Sequence, residues 1–250
     1  MIPLYIQSDK SIFMNVAIDE AMFRITKENS LPIIRIWEQE NTALVIGRSQ
    51  EIIRETNYQQ CINDEIPIVR RCSAGGTVIQ KRGSINFVFS FPTKWHPDLK
   101  DVKKSFYHFA SIIIQALKTQ NIISQYRLLS DITTNDGKKL SGNAQARNPT
   151  TVMHHGTLLV TSCHNEMTKY LAHPSKEPEY RKARLHENFV TSIEELGLKM
   201  DKELLGTSIK DQFKDAEIKH QLPNNISDLA KKLYQEKYKL NNWNEYGKLI

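Results

Sequence analysis

Arg70-Arg71-Cys72-Ser73-Ala74-Gly75-Gly76-Thr77-Val78-Ile79-Gln80 ends one apolar run and begins another. Two guanidinium groups, a hydroxyl and a glycine pair between strand-like segments suit a loop that holds a phosphate or carboxylate against backbone amides. Gly75-Gly76 has the spacing of neither the Walker A loop nor the dinucleotide fingerprint, so the pair alone reads equally as a bulge or tight turn. Strand alternation turns one of Arg70 and Arg71 inward, and an inward guanidinium requires a buried acid or an anionic ligand.

Working outward, residues 66–70 form a strand into this loop and residues 51–62 a helix. Residues 32–37 and 43–47 read as strand, turn, strand, rich in isoleucine, leucine and valine. Trp37 ends the first of these, as core or as the wall of an apolar ligand slot. Residues 11–26 carry Phe13, Val16, Ala17, Met22 and Phe23 at helical spacing, with Asp9 or Ser11 as cap and Asn15 and Asp19 on one face.

Beyond the loop, residues 84–91 alternate Ile85, Phe87, Phe89 and Phe91 against Asn86, Val88 and Ser90, a strand whose aromatic face serves as core or as the wall of a slot for a long apolar tail. Residues 103–120 are helical, with Phe106, Phe109, Ala110, Ile113 and Leu117 in one stripe. Asn135-Asp136-Gly137 joins strands 131–134 and 139–146 in a hairpin, because Asp-Gly accepts the positive φ angles of a tight primed turn. Strand alternation then puts Lys139, Ser141, Asn143 and Gln145 on one face and Leu140, Gly142 and Ala144 on the other.

In the strand at 151–161, His154 and His155 point to opposite faces, which argues against joint metal ligation. Residues 164–171 read as a short helix and 174–182 as a proline-punctuated loop able to cover a site. Thr191 and Glu194 have capping-box spacing, and from 201 onward the pattern is helical in two pieces broken at Leu222-Pro223-Asn224-Asn225.

At 250 residues, 40% hydrophobic and 25% charged, the chain has an ordinary globular composition that excludes disordered and fibrous classes. A formal charge of +6 favours acidic partners, yet the basic residues are mixed with acids and form no aromatic-laced tract, which argues against nucleic acid. The start lacks a secretory pattern and the most apolar stretch, 109–117, is too short for a bilayer, so the reading is a cytoplasmic protein with no membrane partner. Cys61, Cys72 and Cys163 have no pairing or metal spacing and read as free thiols.

Taken together, Arg70 to Val78, then Gly83-Ser84-Ile85-Asn86-Phe87, then Asp136-Gly137-Lys138-Lys139-Leu140-Ser141-Gly142-Asn143-Ala144-Gln145, then His155-Gly156-Thr157-Leu158-Leu159 resemble the lipoate-protein ligase A family in order and spacing. Residues 15–20, 45–50, Glu179-Tyr180-Arg181 with Arg184 and His186, Lys237-Tyr238 and Trp243-Asn244 extend the resemblance. It implies an α+β fold: a mixed β-sheet flanked by helices, of the class II synthetase-like catalytic-domain type of biotin and lipoate ligases. It also implies one catalytic domain over residues 1–250, helical from about 201, with no separate C-terminal accessory domain.

The implied reaction joins ATP and lipoate to lipoyl-adenylate, releasing pyrophosphate, and passes the lipoyl group to a lysine of a lipoyl domain in a 2-oxoacid dehydrogenase complex or the glycine cleavage H protein. Such a site brings a carboxylate and an α-phosphate together and must stabilise the added negative charge. The resemblance assigns Lys139 as the catalytic residue. It places ATP or phosphate on Arg71, Ser73, Gly75, Gly76, Thr77, Val78, Ile79 and Lys139, and lipoate on Trp37, Arg71, Asn86, Lys139, Ser141, Gly142, His155, Gly156 and Thr157, with the Phe87 and Phe89 strand as a further wall. Mg2+ accompanies such chemistry, with no ligands identified, and a separate accessory subunit serves the activation step.

Ala74 stands where many family members have glycine, which requires a negative φ there. The rival in this fold is a cysteine-dependent octanoyl or lipoyl transferase. Its cysteine precedes the Asp-Gly-Lys hairpin, residues 121–130 contain none, and Cys72, its pKa lowered by Arg71, is the remaining candidate. A non-enzymatic lipoate- or biotin-binding scaffold is the third reading.

Overall fold

A computed structural model describes residues 1–174 and 177–248. Its strands are β1 (Ile2–Ile6), β2 (Ile33–Glu38), β3 (Ala43–Ile46), β4 (Ile68–Arg70), β5 (Val78–Gln80), β6 (Ser84–Pro92), β7 (Gln125–Arg127), β8 (Asp131–Thr133), β9 (Lys139–Arg147), β10 (Thr151–Leu159) and β11 (Ala216–Lys219). The α-helices are α1 (Ile12–Asn29), α2 (Ile52–Glu55), α3 (Tyr58–Asn63), α4 (Val102–Lys118), α5 (His164–Tyr170), α6 (His186–Phe189), α7 (Lys202–Lys210), α8 (Asn224–Leu233) and α9 (Asn241–Tyr246). An eight-stranded sheet runs β11-β1-β2-β6-β10-β9-β8-β7, beside a three-stranded sheet β4-β3-β5. β1 is parallel to β11 and β2 while β2 through β7 pair antiparallel, which makes the large sheet mixed as expected.

The two faces of the sheet follow from the alternation in β6. Ile85, Phe87, Phe89 and Phe91 point into a core with Phe109, Ile113 and Leu117 of α4, and Phe89 stacks on Phe109 with centroids 5.2 Å apart. Val88, on the other face, packs with Val16, Ala17 and Met22 of α1. The phenylalanines of β6 are therefore core, and the expectation that they wall a ligand slot is corrected: the site opens on the α1 side. α1, α4 and α7 begin at side-chain caps, with Asp201 serving the last. The Ser11 side chain accepts from the Met14 amide, and Asp101 accepts from the Lys104 amide at 2.8 Å.

Asn15 and Asp19 share a face of α1 and meet Arg35 of β2, which is fully buried. Arg35 Nη1 donates to Asp19 Oδ1 and Nη2 to Asn15 Oδ1, both at 2.7 Å. Several expected elements differ. β2 and β3 do not form a hairpin but belong to different sheets. The helix over 51–62 breaks at Thr56, whose extended backbone bridges to Leu171 while the Asn57 amide donates to Tyr170 O, so α2 and α3 are separate. The helical segment from 201 is interrupted by β11, a half-polar edge strand recruited by pairing with β1. The capping box lies one residue further on, between Ser192 and Glu195, which bond each other's amides.

His154 and His155 point to opposite faces, as alternation requires. His154 is fully buried, stacked on Phe109 at 5.0 Å, with Nδ1 3.2 Å from Gln145 Nε2 and no partner for Nε2 among the described residues. Burial pushes its pKa down to about 3. An unfolded histidine takes a proton near pH 6.5 that this one refuses, so folded stability falls as pH drops from about 6.5 toward 3. At pH 5 the loss due to His154 is about 2 kcal/mol. Urea melts at pH 7.5 and pH 5 should therefore show a smaller acid loss for His154→Leu than for the wild type; equal losses would contradict the assignment.

Candidate functional site

On the α1 side of the sheet lies a cavity of about 730 Å³, within the range of small-molecule sites. The quoted loop forms one wall, the inner faces of β9 and β10 the floor, and residues near 172–190 the opposite wall. Ser175 and Lys176 of the expected covering loop lie outside the described residues, while Pro174, Glu177, Pro178 and Arg181 line the cavity.

Arg71 is buried and organises the loop. Nε donates to Ser73 Oγ at 2.9 Å, Nη1 to Val45 O at 3.2 Å, and Nη2 to Ala74 O at 2.8 Å and Gly76 O at 2.9 Å. All four acceptors are uncharged and no carboxylate pairs with it in the described residues, so a buried positive charge stands uncompensated beside the cavity. Burial pulls its pKa down to about 10, which leaves it a cation at neutral pH. Gly75 needs its φ of +100°, and a Cβ there would lie 2.9 Å from Arg71 Nη2 and 3.2 Å from the Ala144 methyl of β9. Ala74 is not among the residues with positive φ, so its methyl is accommodated as required.

Arg70 turns inward as well, which corrects the expectation that the pair splits between faces. Its guanidinium donates to the carbonyls of Gly47, Arg48 and Gln50 and to those of Trp243, Asn244 and Glu245 in α9. Main-chain carbonyls concentrated at a turn and a helix C-terminal end offset the charge that no acid meets. Arg70 therefore ties the loop to the C-terminal segment, and Arg71 alone faces the cavity.

Lys139 begins β9, and its position depends on a β-bulge. Asp131 pairs with Gly142, Ile132 with Ser141 and Thr133 with Lys139, leaving Leu140 as the extra residue. Leu140 drops into the α4-side core, and the alternation resumes one residue out of phase. Lys139, Gly142 and Ala144 consequently line the cavity, whereas Ser141 and Gln145 go to the α4 side, where Gln145 bonds Ser105. The expected polar row Lys139-Ser141-Asn143-Gln145 is thus overturned by the bulge. Lys139 Nζ lies 2.9 Å from Asp131 Oδ1, and the other Asp131 oxygen accepts from the Tyr180 hydroxyl. The Lys139 carbonyl accepts from the Thr191 amide at 2.9 Å, which pins the strand end.

The lysine side chain lies across Gly142, where an added Cβ would come within 2.9 Å of its Cε and Nζ. Gly142→Ala should shift Lys139 without disturbing the fold, changing stability by no more than about 1 kcal/mol. A displaced ammonium would cost on the order of 10²-fold in the reaction proposed below. Turnover and melting measured on the same preparation check this; unchanged turnover would contradict it.

His155 lines the cavity, with Nε2 2.6 Å from Ser73 Oγ. Arg71 Nε donates to the same oxygen, so the Ser73 hydroxyl links the guanidinium to the imidazole. Burial, with Arg71 adding, pushes the His155 pKa well below its usual value, so the ring is neutral. Asn86 and Thr157 also line the cavity but use their polar groups on Gln80, which donates to Asn86 Oδ1 and Thr157 Oγ1 at 2.8 Å each. They form a closed polar floor. Trp37 is buried at the apolar end with Val16, Val45 and Met153, its Nε1 donating to Asp19 Oδ2 at 3.2 Å.

Of the expected residues, then, Trp37, Arg71, Gly75, Gly76, Thr77, Val78, Asn86, Lys139, Gly142, His155 and Thr157 meet at one cavity. Ser73 acts behind it through Arg71 and His155. Ile79 is buried in a separate apolar cluster, and Ser141 and Gly156 face the α4 side, where a Cβ on Gly156 would meet Asn143 Oδ1 at 2.1 Å and Phe87 at 2.4 Å. Sequence reasoning missed Gln80 and Asp131, although both sit at the ends of segments it had marked. Gln50, whose amide oxygen accepts from the Gly47 amide and the Thr77 hydroxyl, was equally silent.

Cys72 is half-buried, and burial, with Glu20 adding, pushes its thiol up to about 12. The expected lowering by Arg71 does not occur, because desolvation of the thiolate outweighs it. Carboxylates at the cavity include Asp131, bonded to Lys139 and Tyr180, Asp19, bonded to Arg35 and Trp37, Glu177, bonded to His173 and Arg181, and Glu51, 3.9 Å from Arg54. Among the described residues no three of the His, Cys, Asp and Glu side chains at the cavity cluster closely enough to hold a metal ion, which does not fit a protein-held magnesium. Among the described residues, no helix is long and apolar enough to cross a membrane.

Known proteins share this fold. A lipoate-protein ligase A from Blochmanniella floridana is 32% identical over 182 residues, 71% of this chain and 51% of the relative. The chain spans about half the length of the curated relatives it matches. A bipartite lipoate protein ligase from Thermoplasma acidophilum superimposes with a TM-score of 0.81 at 19% identity, covering 97% of this chain and 95% of that one. A lipoate-protein ligase A bound with ATP gives 0.81 at 19% identity, covering 97% and 98%. Residues 11–214 match the lipoyl protein ligase A/B catalytic domain, and with the loop, hairpin and cavity in the same chain, the protein belongs to that family.

Proposed function

We propose that the chain is the catalytic part of an ATP-dependent lipoate-protein ligase: it converts lipoate to lipoyl-adenylate and passes the acyl group to a lysine of a lipoyl domain. The observation that carries this reading is the convergence of two cations on one cavity. Arg71 has no acid partner among the described residues, and Lys139 spends one of its three donors on Asp131. Two anions, a carboxylate and an α-phosphate, repel each other unless positive charge lies between them. Lys139 bridges them with its remaining donors, and Arg71 and the Gly75 to Val78 amides receive the phosphate. The apolar end at Val16, Trp37, Val45 and Met153 takes the acyl tail, and neutral His155 adds no charge there. The structurally similar ligase bound with ATP supports the nucleotide, and the Thermoplasma acidophilum system, described as a bipartite ligase with its E2 lipoyl domain, supports a lipoyl-domain acceptor and a separate accessory subunit. Any magnesium enters with the nucleotide phosphates.

The rival acyl transferase needs a thiolate, and the one cysteine lining the cavity holds its proton to about pH 12. The test is Cys72→Ala supplied with the accessory subunit, an apo lipoyl domain and either ATP plus lipoate or an acylated carrier protein. The ligase reading expects acylation from ATP and lipoate, largely unchanged by the substitution. Acylation from the carrier alone, abolished by Cys72→Ala, would replace it with the transferase.

A further inference from the structure

We propose that His96, Asp98 and His108 bind a divalent transition-metal ion at a surface site on the α4 side of the sheet. None of the three lines the cavity. Their ligand atoms lie within 4.8 Å of one another, the one such group of three His, Cys, Asp or Glu side chains among the described residues. The two imidazole centroids are 4.4 Å apart with planes at 36°, and His96 Nδ1 is 3.6 Å from Asp98 Oδ2. Ligands around a tetrahedral Zn2+ stand roughly 3.4 Å apart, so a small rotation of side chains already at the surface closes the set.

The backbone that carries these ligands is fixed from several directions. His96 caps the turn Pro97–Lys100, its Nδ1 accepting from the Asp98 amide at 3.3 Å. Leu99 of that turn is fully buried in the core, and its carbonyl accepts from Arg147. Trp95 packs edge-on against Phe91 with centroids 5.9 Å apart. Asp101 caps α4 directly after the turn, and α4 holds His108 beside core Phe109. Ligands on such supports lose little freedom on binding. They are also uncommitted: neither ring nitrogen of His108 and not Nε2 of His96 makes a hydrogen bond among the described residues, and no lysine or arginine pairs with Asp98 there.

The donor set decides the ion. Two imidazoles and one carboxylate suit Zn2+, Ni2+ or Cu2+ rather than Mg2+, which demands an oxygen shell. Three protein ligands leave one position to water. A bound ion would clamp the segment after β6 onto α4.

Calorimetric titration of the full chain with zinc chloride at pH 7.5 tests the site, with magnesium chloride as control. One zinc site with a dissociation constant on the order of micromolar is expected, and no magnesium uptake there. His96→Ala and His108→Gln should each weaken zinc binding at least about tenfold and remove the zinc-induced rise in Tm. Adenylation activity of the metal-free variants should match the wild type, since the site lies apart from the cavity. Zinc affinity unchanged in both variants would assign the ion elsewhere and overturn the proposal, as would no binding by the wild-type chain.

Discussion

Lys139→Ala should abolish lipoate-dependent release of pyrophosphate from ATP, lowering the rate on the order of 10³-fold, while the protein stays folded at 25 °C with a lowered melting temperature. The ammonium lines the cavity 2.9 Å from Asp131 Oδ1 and over Gly142, on a strand end fixed by the bulge at Leu140 and the Thr191 amide. Removing it leaves the buried Asp131 carboxylate with the Tyr180 and Ser130 hydroxyls alone, so some stability is lost along with the activity. Transition-state charge shared by two anions then loses its bridge, and Arg71, held to three acceptors of its own loop and to the Val45 carbonyl of β3, does not move to replace it. Pyrophosphate release and thermal melting on the same sample separate the two effects. Wild-type release in this variant would remove Lys139 from the chemistry.

Glu20→Leu should destabilise the fold by about 3–5 kcal/mol, the largest stability effect expected of a single polar substitution here. Glu20 of α1 is buried and pairs with Lys237 Nζ at 2.7 Å, and it also accepts from the Tyr238 hydroxyl. Burial alone would raise the Glu20 pKa, but Lys237 and Tyr238 outweigh it and hold the carboxyl below its usual range. Lys237 lies 3.9 Å from the Trp243 ring centroid, so this residue set joins α1 to the segment that also receives Arg70. Leucine at position 20 strands a buried ammonium. A second substitution, Lys237→Met, removes that ammonium and should restore most of the loss, because an apolar pair of similar size needs no desolvation. Urea melts of the single and double variants measure the coupling; equal losses in both would show that the ion pair is not the cause.

Local chemistry made much of this architecture legible. Asp136-Gly137 marked the hairpin, and Gly137 has the positive φ that the turn needs. The aromatic alternation of β6 and the stripe of α4 announced the core that they share, and the spacing of Asn15 and Asp19 anticipated the face that meets Arg35. What stayed hidden depends on distant partners. The acceptors of Arg70 include carbonyls some 170 positions later in the chain, so nothing in the local pattern shows that it also turns inward. The edge strand β11 is short and exists by pairing with β1, some 210 positions earlier in the chain. At the site, one extra residue at Leu140 reversed the faces of Ser141 and Gly142, and a strict period of two has no way to register an insertion. Cys72 was misread for a related reason: its neighbour Arg71 is visible in sequence, whereas the burial that governs its pKa is not.

The central claim is that the cavity between Arg71 and Lys139 accommodates an acyl-adenylate. Its most direct measurement is calorimetric titration of the chain with a non-hydrolysable lipoyl-adenylate analogue, which needs no accessory subunit and no acceptor. The account predicts one tight site per chain, weakened by Lys139→Ala and left intact by Cys72→Ala. No binding, or binding that Lys139→Ala leaves unchanged, would contradict it.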